Sequence, residues 1–350
     1  MSPESAVDVL AVRDGRGSAY AELSRRVRQA GLLDRRPGYY AVKIGVNLAL
    51  LAVGWTAFWL LGDSWLQVIV AAFLALVFTQ LAFVGHDAGH RQIFARRRTN
   101  AVVGLLHGNL LVGLSYDWWV DKHNRHHAHP NEEDHDPDIG AGVISFLDSH
   151  ALARRGLGRV VVRYQAYLFF PILFLEALHL HYASVRAVLR GGVRSRRIET
   201  TLLGVHLVGY LAALLLVLSP SQALVFFAVH QGLFGFYLGI SFAPNHKGMP
   251  IVTEQDGLDF LHRQVLTSRD VRGGRFVDFV FGGLNHQIEH HLFPSMPRPS
   301  LRRATVLIRT FCLEHGVPYR ESGLLRSYAE ALHHLHVVGT AGRGTPSSTG

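Results

Sequence analysis

The sequence is poor in cysteine and in charged residues. Cys312 is the only cysteine, which excludes a disulfide bond within the chain. Charged residues make up 17% of the composition and hydrophobic residues 49%, a balance that is unusual for a soluble protein. No repeat of roughly 20 to 50 residues is apparent, which argues against solenoid and propeller folds. These absences favour a membrane protein with an unrepeated fold.

The two ends of the chain lack the features of a signal peptide and of a packed core. The start, MSPESAVDVLAVRDGRG, carries acidic residues and no apolar run, so we expect no cleaved secretory signal and a cytosolic N-terminus. The low-complexity tail 339–350, GTAGRGTPSSTG, is predicted to be disordered.

Four apolar stretches approach the length of about 20 residues that a helix needs to cross a bilayer. They cover residues 39–61, 64–85, 200–218 and 222–242. Gly62-Asp63 joins the first two and Ser219-Pro220-Ser221 the last two, so each pair is predicted to form a transmembrane hairpin. A fifth stretch, near 160–182, has only 12 uncharged residues between Arg163 and Glu176, and Pro171 interrupts them. We expect this stretch to be interfacial or buried.

The positive charge of the chain, +9 at pH 7, would suit nucleic acid, anionic lipid or an acidic partner. Residues 86–199 contain 15 Lys and Arg residues, and such loops stay in the cytosol. Membrane topology therefore explains most of the charge, and we expect no nucleic-acid binding. The predicted organisation is a cytosolic segment 1–38, a hairpin 39–85, a cap 86–199, a second hairpin 200–242, further cap 243–338 and the tail.

Histidines cluster where the spans meet the cytosol. In GHDAGH, His86 and His90 have i,i+4 spacing, which places both rings on one helix face. This pair alone is equally well explained as structural. In DKHNRHH, three histidines within five residues converge on one face, which packing alone explains poorly. These three are His123, His126 and His127.

Two further elements complete the pattern. GGLNHQIEHHLFPSMP contains the adjacent His290 and His291, with His286 and Gln287 one helical turn earlier. APNHKG places His246 just beyond the last span. His206 and His230 fall inside predicted spans, where we favour neutral rings hydrogen-bonded between helices. Acidic and amide neighbours that could orient the ring nitrogens are Asp87, Asn124, Asp134, Asp136 and Asp138.

Eight clustered histidines exceed the four ligands of one zinc ion, so the number predicts two metal ions. Imidazole suits iron, copper, nickel and zinc alike, so ligand type does not choose the metal. A site at the cytosolic ends of apolar helices is open both to a soluble reductant and to acyl chains. Because an unactivated methylene offers no acidic proton and no electrophile, its chemistry needs an oxidising cofactor.

The motifs HDAGH, HNRHH and QIEHHLFPSMPR together strongly resemble those of the membrane fatty acid desaturases, in particular the front-end and acyl-CoA type. The resemblance covers roughly residues 39 to 320. It implies an all-α integral membrane fold, with four transmembrane helices as two hairpins under a helical cytosolic cap. It also implies a diiron centre, O2 as cosubstrate, and an acyl-CoA or membrane-lipid substrate at the cell membrane.

By position, the resemblance assigns iron ligands to His86, His90, His123, His126, His127, His246, His290 and His291. Gln287 replaces the first histidine of the third motif, and either Gln287 or His286 would be the additional ligand. Many front-end relatives carry a fused cytochrome b5 domain with an HPGG motif, and this chain has no HPGG. The expected electron donor is therefore separate: ferredoxin with an NADPH-dependent reductase, or a cytochrome b5-like protein.

Three other functions share some of these sequence features. A diiron lipid hydroxylase would share the same centre, and the residues do not distinguish it, although QIEHHLFP favours desaturation. A zinc hydrolase is disfavoured because HExxH is absent. A metal-binding membrane carrier would hold its ligands near the bilayer midplane rather than at the cytosolic ends of the spans.

Overall fold

The computed structural model describes residues 18–341, and α-helices account for most of them. The first eight helices are α1 (Ala19–Gln29), α2 (Pro37–Leu61), α3 (Gln67–Gly89), α4 (Arg97–Leu105), α5 (Tyr116–Ala128), α6 (Asp148–Leu152), α7 (Gly156–Arg163) and α8 (Gln165–Leu173). The next eight are α9 (Glu176–Arg190), α10 (Arg196–Val217), α11 (Pro220–His246), α12 (Phe260–Leu266), α13 (Gly274–Val280), α14 (Gln287–Leu292), α15 (Arg298–Glu314) and α16 (Leu324–Thr340).

Non-helical structure is limited to short pieces. A π-helical segment, Leu106–Val112, follows α4, and a 3₁₀ turn covers Glu254–Asp256. The strands β1 (Asp270–Arg272) and β2 (Glu321–Gly323) form a parallel pair in which Val271 is opposite Ser322. The expectation of an all-α chain is thus correct except for this small sheet. It was missed because strands of three residues leave no periodic pattern in a sequence.

Four helices, α2, α3, α10 and α11, are long and apolar enough to span a membrane. They agree with the four predicted spans, although α3 and α11 run further at their C-terminal ends. α2 exposes the apolar side chains of Val42, Val53 and Leu60. Their exposure would be unfavourable in water but is favourable in lipid. α3 packs against both α2 and α11 and is the most buried of the four.

The apolar stretch 160–182 lies in α7, α8 and α9 rather than in one straight helix. α8 and α9 meet at an angle of 70°. The described residues would contain a fifth membrane span only if this bent pair formed a single span. α9 begins directly against α11, because a Cβ on Gly235 would lie 2.6 Å from the backbone nitrogen of Ala177. Glycine at 235 therefore permits the two helices to approach this closely.

A separate apolar core holds the C-terminal elements around α14. Leu23 and Val27 of α1, Ile288 and Leu292 of α14 and Ile308 of α15 are all buried in this core. Because these contacts bury one face of α14, the opposite face carries Gln287, His290 and His291 toward α3, α5 and α11.

Two predicted segments are only partly described. Of the N-terminal segment 1–38, residues 1–17 lie outside the described residues, and α1 and the start of α2 occupy most of the rest. Of the tail predicted to be disordered, residues 342–350 lie outside the described residues, and α16 extends to Thr340.

Candidate metal centre

The eight predicted ligand histidines come together at one place, where four elements meet. His86 lies in the last turn of α3, and His90 is the C-cap residue that follows this helix. α5 carries the HNRHH motif, His246 is the last residue of α11, and His290 and His291 lie on α14. The short spacings in the sequence therefore set each pair or trio, and the fold assembles them.

The first group consists of His86, His90, His123 and His290. Each offers a ring nitrogen, and these four nitrogens all lie within 4.8 Å of one another. Three of the four side chains are buried, and His123 is half-buried under Trp119, whose ring stacks on it at 4.5 Å. The arrangement can surround one ion.

The second group consists of His126, His246 and His291, whose ring nitrogens also lie within 4.8 Å of one another. The Nε2 atoms of His126 and His246 are 3.4 Å apart. The amide Nε2 of Gln287 is 2.8 Å from Nε2 of His246, so Gln287 reaches this group as a fourth polar side chain. The arrangement can surround a second ion.

His127 lies between the two groups. Its ring is stacked on that of His291 at 4.1 Å and stands 4.5 Å from that of His90. Its Nε2 atom is 3.1 Å from Nε2 of His123. Because a side chain in this position touches both groups, it connects them into one centre.

A layer of hydrogen bonds orients the rings of the first group. Nδ1 of His86 is 3.3 Å from Asp87, and the second carboxylate oxygen of Asp87 pairs with Arg298 at 2.7 Å. Arg298 also donates to the carbonyl oxygen of Phe83 in α3. The pair thus ties the end of α3 to α15, and it fixes which nitrogen of His86 faces the centre.

The second group has an equivalent layer. Nδ1 of His126 is 3.0 Å from both oxygens of Asp136, and Nδ1 of His246 is 3.0 Å from the carbonyl oxygen of Thr267. Nδ1 of His291 is 2.9 Å from Oε1 of Gln264. In each case Nδ1 is engaged, so Nε2 is left to face the centre.

Asp136 is held in place by a tight turn. The backbone of Asn131 has a φ of 52°, a left-handed conformation that asparagine tolerates better than most residues. Its N–H donates to Asp136 at 2.8 Å, and its side-chain amide donates to the carbonyl oxygen of His246. The turn therefore links the carboxylate behind His126 to the end of α11.

Burial strongly lowers the pKa of His123, His127, His290 and His291. The rings are therefore neutral at pH 7 and keep a lone pair that can bind a metal. Several buried ring nitrogens have no hydrogen-bond partner within residues 18–341, among them Nε2 of His86, His90 and His291 and both nitrogens of His290. Buried polar atoms without partners are costly, and metal ions would satisfy these atoms.

Other predicted residues lie away from the centre. His286 is turned toward Asp278 at 3.1 Å and Thr305 at 2.9 Å, so of the two candidates for the additional ligand only Gln287 is beside the second group. Burial alone would lower the pKa of His286, but its neighbouring carboxylates, Asp270 and Asp278, outweigh burial and raise the pKa to about 10.

The two histidines inside the spans make the contacts between helices that the sequence suggested. Nδ1 of His206 is 2.8 Å from the carbonyl oxygen of Leu110, and Nδ1 of His230 is 2.9 Å from the hydroxyl of Tyr210. Asn124 and Asp134, considered as ring partners, form no hydrogen bond with the histidines of the centre among the described residues.

Sequence reasoning missed three residues of the centre. Gln264 and Arg298 are far in sequence from the residues they contact, and no spacing pattern in the sequence predicts these contacts. Trp119 precedes His123 by four residues, so its position on the same helix face was a usable signal.

Comparison with known proteins identifies the type of protein that this centre belongs to. The family model described as fatty acid desaturase matches residues 63–323. The Acyl-lipid (9-3)-desaturase of Physcomitrium patens is 31% identical over 325 residues, covering 87% of this chain and 59% of that protein. The chain thus spans less than two thirds of that protein.

Two further relatives are covered more fully. The Delta(8)-fatty-acid desaturase of Euglena gracilis is 30% identical over 312 residues, which cover 86% of this chain and 74% of that protein. The Delta(6)-fatty-acid desaturase fat-3 of Caenorhabditis elegans is 28% identical over 332 residues, which cover 91% and 74%.

The four apolar helices suggest a membrane protein, and the two histidine groups could bind metal ions. The chain belongs to the fatty acid desaturase family, and it is an enzyme of the oxidoreductase class.

Proposed function

We propose that this protein is a membrane desaturase that introduces a double bond into a fatty acyl chain, using O2, two electrons and a histidine-bound diiron centre. One observation carries the proposal. Two adjacent groups of histidines, all buried except the half-buried His123, present ring nitrogens without partners to a common interior. Two of the relatives are named as Δ8 and Δ6 desaturases, and these positions are counted from the carboxyl carbon of the fatty acid. We infer that this protein also introduces its double bond in that part of the acyl chain.

The donor set fits two ions of a metal that favours imidazole. Two ring nitrogens bound to one ion at about 2.1 Å stand roughly 3 to 3.4 Å apart, and the 3.4 Å separation of the His126 and His246 nitrogens matches that range. We assign His86, His90, His123 and His290 to one iron and His126, His246 and His291 to the other. His127 lies between them, and Gln287 contributes to the second site.

Iron, when bound, supplies the O2-dependent oxidation that an unactivated C–H bond requires. The net reaction removes two hydrogens from adjacent methylenes and consumes one O2, two electrons and two protons, giving one C=C bond and two water molecules. The residues of this chain would bind the two ions and exclude bulk water from the centre. Asp87, Asp136 and Gln264 fix the ring orientations, and burial excludes bulk water from the oxidising centre.

We further propose that the four long helices form two hairpins in the cell membrane, with the histidine centre and both termini on the cytosolic side. The basic residues between the hairpins support this orientation. The chain reaches its electron donor, ferredoxin with its NADPH-dependent reductase or a cytochrome b5-like protein, as a separate partner at that face. The substrate is an acyl-CoA or the acyl chain of a membrane lipid.

The test expresses the chain in a desaturase-deficient host supplied with a ferredoxin and its reductase, followed by gas chromatography–mass spectrometry of total fatty acids. A new unsaturated acid is expected with the unmodified chain and not with His290→Ala. His179→Ala is the matched control, because His179 is exposed on α9 and lies outside the centre. The purified protein should contain two iron atoms per chain.

Two outcomes would contradict the proposal. A new hydroxy acid in place of an unsaturated one would identify a hydroxylase. Purified, folded protein that contains no iron would refute the metal centre itself.

A further inference from the structure

Lys43 is an unusual charge in the first span. The chain has 35 Lys and Arg residues, of which only three are lysines: Lys43, Lys122 and Lys247. Lys43 lies six residues after the start of α2. Ionisable residues within membrane helices are rare and commonly mark the path or binding site of a ligand.

The ammonium group of Lys43 has no anionic partner in the described part of the chain. Nζ donates to Oε1 of Gln80 at 2.6 Å and stands 4.8 Å from the centre of the Phe279 ring. No carboxylate of residues 18–341 lies within 4.0 Å of it, whereas Lys122 pairs with Asp138. An ammonium has three donors, so two remain for another acceptor.

Gln80 holds Lys43 in this direction. Its amide nitrogen donates to the hydroxyl of Tyr237 at 2.9 Å and to the carbonyl oxygen of Phe279 at 3.2 Å, which leaves Oε1 for Lys43. A lysine that only anchors a helix end extends toward the water. Lys43 turns instead toward the helix bundle and the short helix α13.

An apolar surface adjoins this charge. α13 exposes Phe276 and Phe279, 75% and 56% accessible, and Phe279 lies beside Lys43 of α2. Gln80 precedes His86 by six residues on α3, which is about 9 Å of helix rise. Lys43 therefore lies beside an exposed apolar surface, and its partner Gln80 is about 9 Å along α3 from His86 of the histidine centre.

We propose that Lys43 binds the anionic head of the acyl substrate, with Phe276 and Phe279 against the first part of its chain, so that the substrate enters between α2 and α13. The inference rests on the proposed desaturase function and deepens it. A head bound at Lys43 brings acyl carbons near the carboxyl end to the histidines, as a double bond in that region requires. The head is a phosphate, of either a phospholipid or coenzyme A.

Binding is measured first, by native mass spectrometry of the purified full chain in detergent. Its probes are phosphatidic acid, diacylglycerol with the same acyl chains, and the matching acyl-CoA. Lys43→Gln should lower the retention of the phosphate-bearing probe about tenfold, as expected for the loss of one charge-assisted hydrogen bond, and leave diacylglycerol unchanged. Lys43→Arg should retain binding. Arg197→Met, a change at an exposed arginine at the start of α10, is the matched control.

The pattern over the probes decides the result. Loss for phosphatidic acid alone identifies a phospholipid substrate, and loss for acyl-CoA alone identifies a coenzyme A substrate. Equal loss for all three probes, or no loss, overturns the proposal, because a merely structural lysine does not distinguish head groups. If Lys43→Gln does not fold, Lys43→Arg and Phe279→Ala answer the same question: wild-type retention of every probe by Phe279→Ala overturns the site.

Turnover separates this proposal from the one on which it rests. With an active chain, Lys43→Gln should raise KM for the phosphate-bearing substrate about tenfold and change kcat little. Head-group binding that depends on Lys43 in a chain that forms no unsaturated product refutes the desaturase function and leaves the binding site standing. Product formation with an unchanged KM refutes the role of Lys43 alone.

Discussion

Replacing Arg269 by methionine should empty one metal site before the other. Arg269 is fully buried beside the end of α11. Its guanidinium donates to the carbonyl oxygens of Pro244, at 2.5 and 2.8 Å, and of Lys247, at 2.7 Å, and these two residues flank His246. It also pairs with Glu330 of α16. One side chain therefore satisfies the last carbonyls of the helix that carries His246.

The size of the effect follows from these acceptors. Methionine fills similar space but donates no hydrogen bond, so two buried carbonyl oxygens lose a partner at about 1–3 kcal/mol each, or about 2–6 kcal/mol together. Glu330 keeps its contacts with Arg320 and Arg326, which limits the cost of the lost ion pair. A loosened α11 end also displaces His246, and changes behind a ligand typically cost 10–100-fold in metal affinity.

Metal content and unfolding temperature check this prediction. After dialysis against a weak chelator, the unmodified protein should keep two iron atoms per chain and Arg269→Met about one, with a lower unfolding temperature. Arg320→Met is the control, because Arg320 also contacts Glu330 but is half exposed and does not touch α11. Two tightly bound iron atoms in Arg269→Met would refute the idea that Arg269 positions His246. The iron content and unfolding temperature of Arg269→Lys should lie between those of the unmodified protein and Arg269→Met.

Three further changes test other parts of the fold. Glu199 accepts a hydrogen bond from the hydroxyl of Ser115, which caps α5. Glu199→Gln should therefore lower the unfolding free energy, measured by chemical denaturation, by about 1 kcal/mol and also lower the iron content. Unchanged values of both quantities would contradict this prediction. The raised pKa of His286 contributes stability that is complete below pH 6.5 and is lost as the pH rises through about 10. The unfolding temperature should therefore fall from pH 7 to pH 10, and less so in His286→Phe; equal slopes would exclude this contribution. Asp136→Asn should reduce iron affinity 10–100-fold in a chelator competition, and wild-type affinity would mean that this carboxylate does not orient its histidine.

Composition and local spacing were sufficient to predict the spans, because long apolar runs leave few alternatives to a membrane helix. The helices α3 and α11 continue beyond the apolar residues of the predicted spans, where they carry His86 and His246. Local spacing also placed His123, His126 and His127 on one face. The structure divides that face, with His123 in one group and His126 in the other, because only the positions of α3, α11 and α14 determine which group each ring joins.

The contacts that orient the rings could not be predicted, for a physical reason. A ligand histidine occurs in a short motif because two or three rings must share one helix face. Its hydrogen-bond partner needs only to be near in space, and Arg298, Gln264 and Thr267 reach the centre from separate segments. Gln287 shows the same limit, because the third motif does not show which of Gln287 and His286 lies beside the second group, whereas the direction of α14 does.

The segment from Thr267 to Asp270 would couple metal binding to folding in this protein. The carbonyl oxygen of Thr267 accepts from the ring of His246, Arg269 satisfies the end of α11, and Asp270 accepts from the backbone N–H of Ile288 at the start of α14. Four residues thus hold two ligand-bearing elements in register. Because this segment helps to bring the ring nitrogens of the centre together, a bound metal would favour the folded state, by about 2.7 kcal/mol at a free concentration of 100 times Kd. In the metal-free folded state, the buried ring nitrogens without hydrogen-bond partners are destabilising.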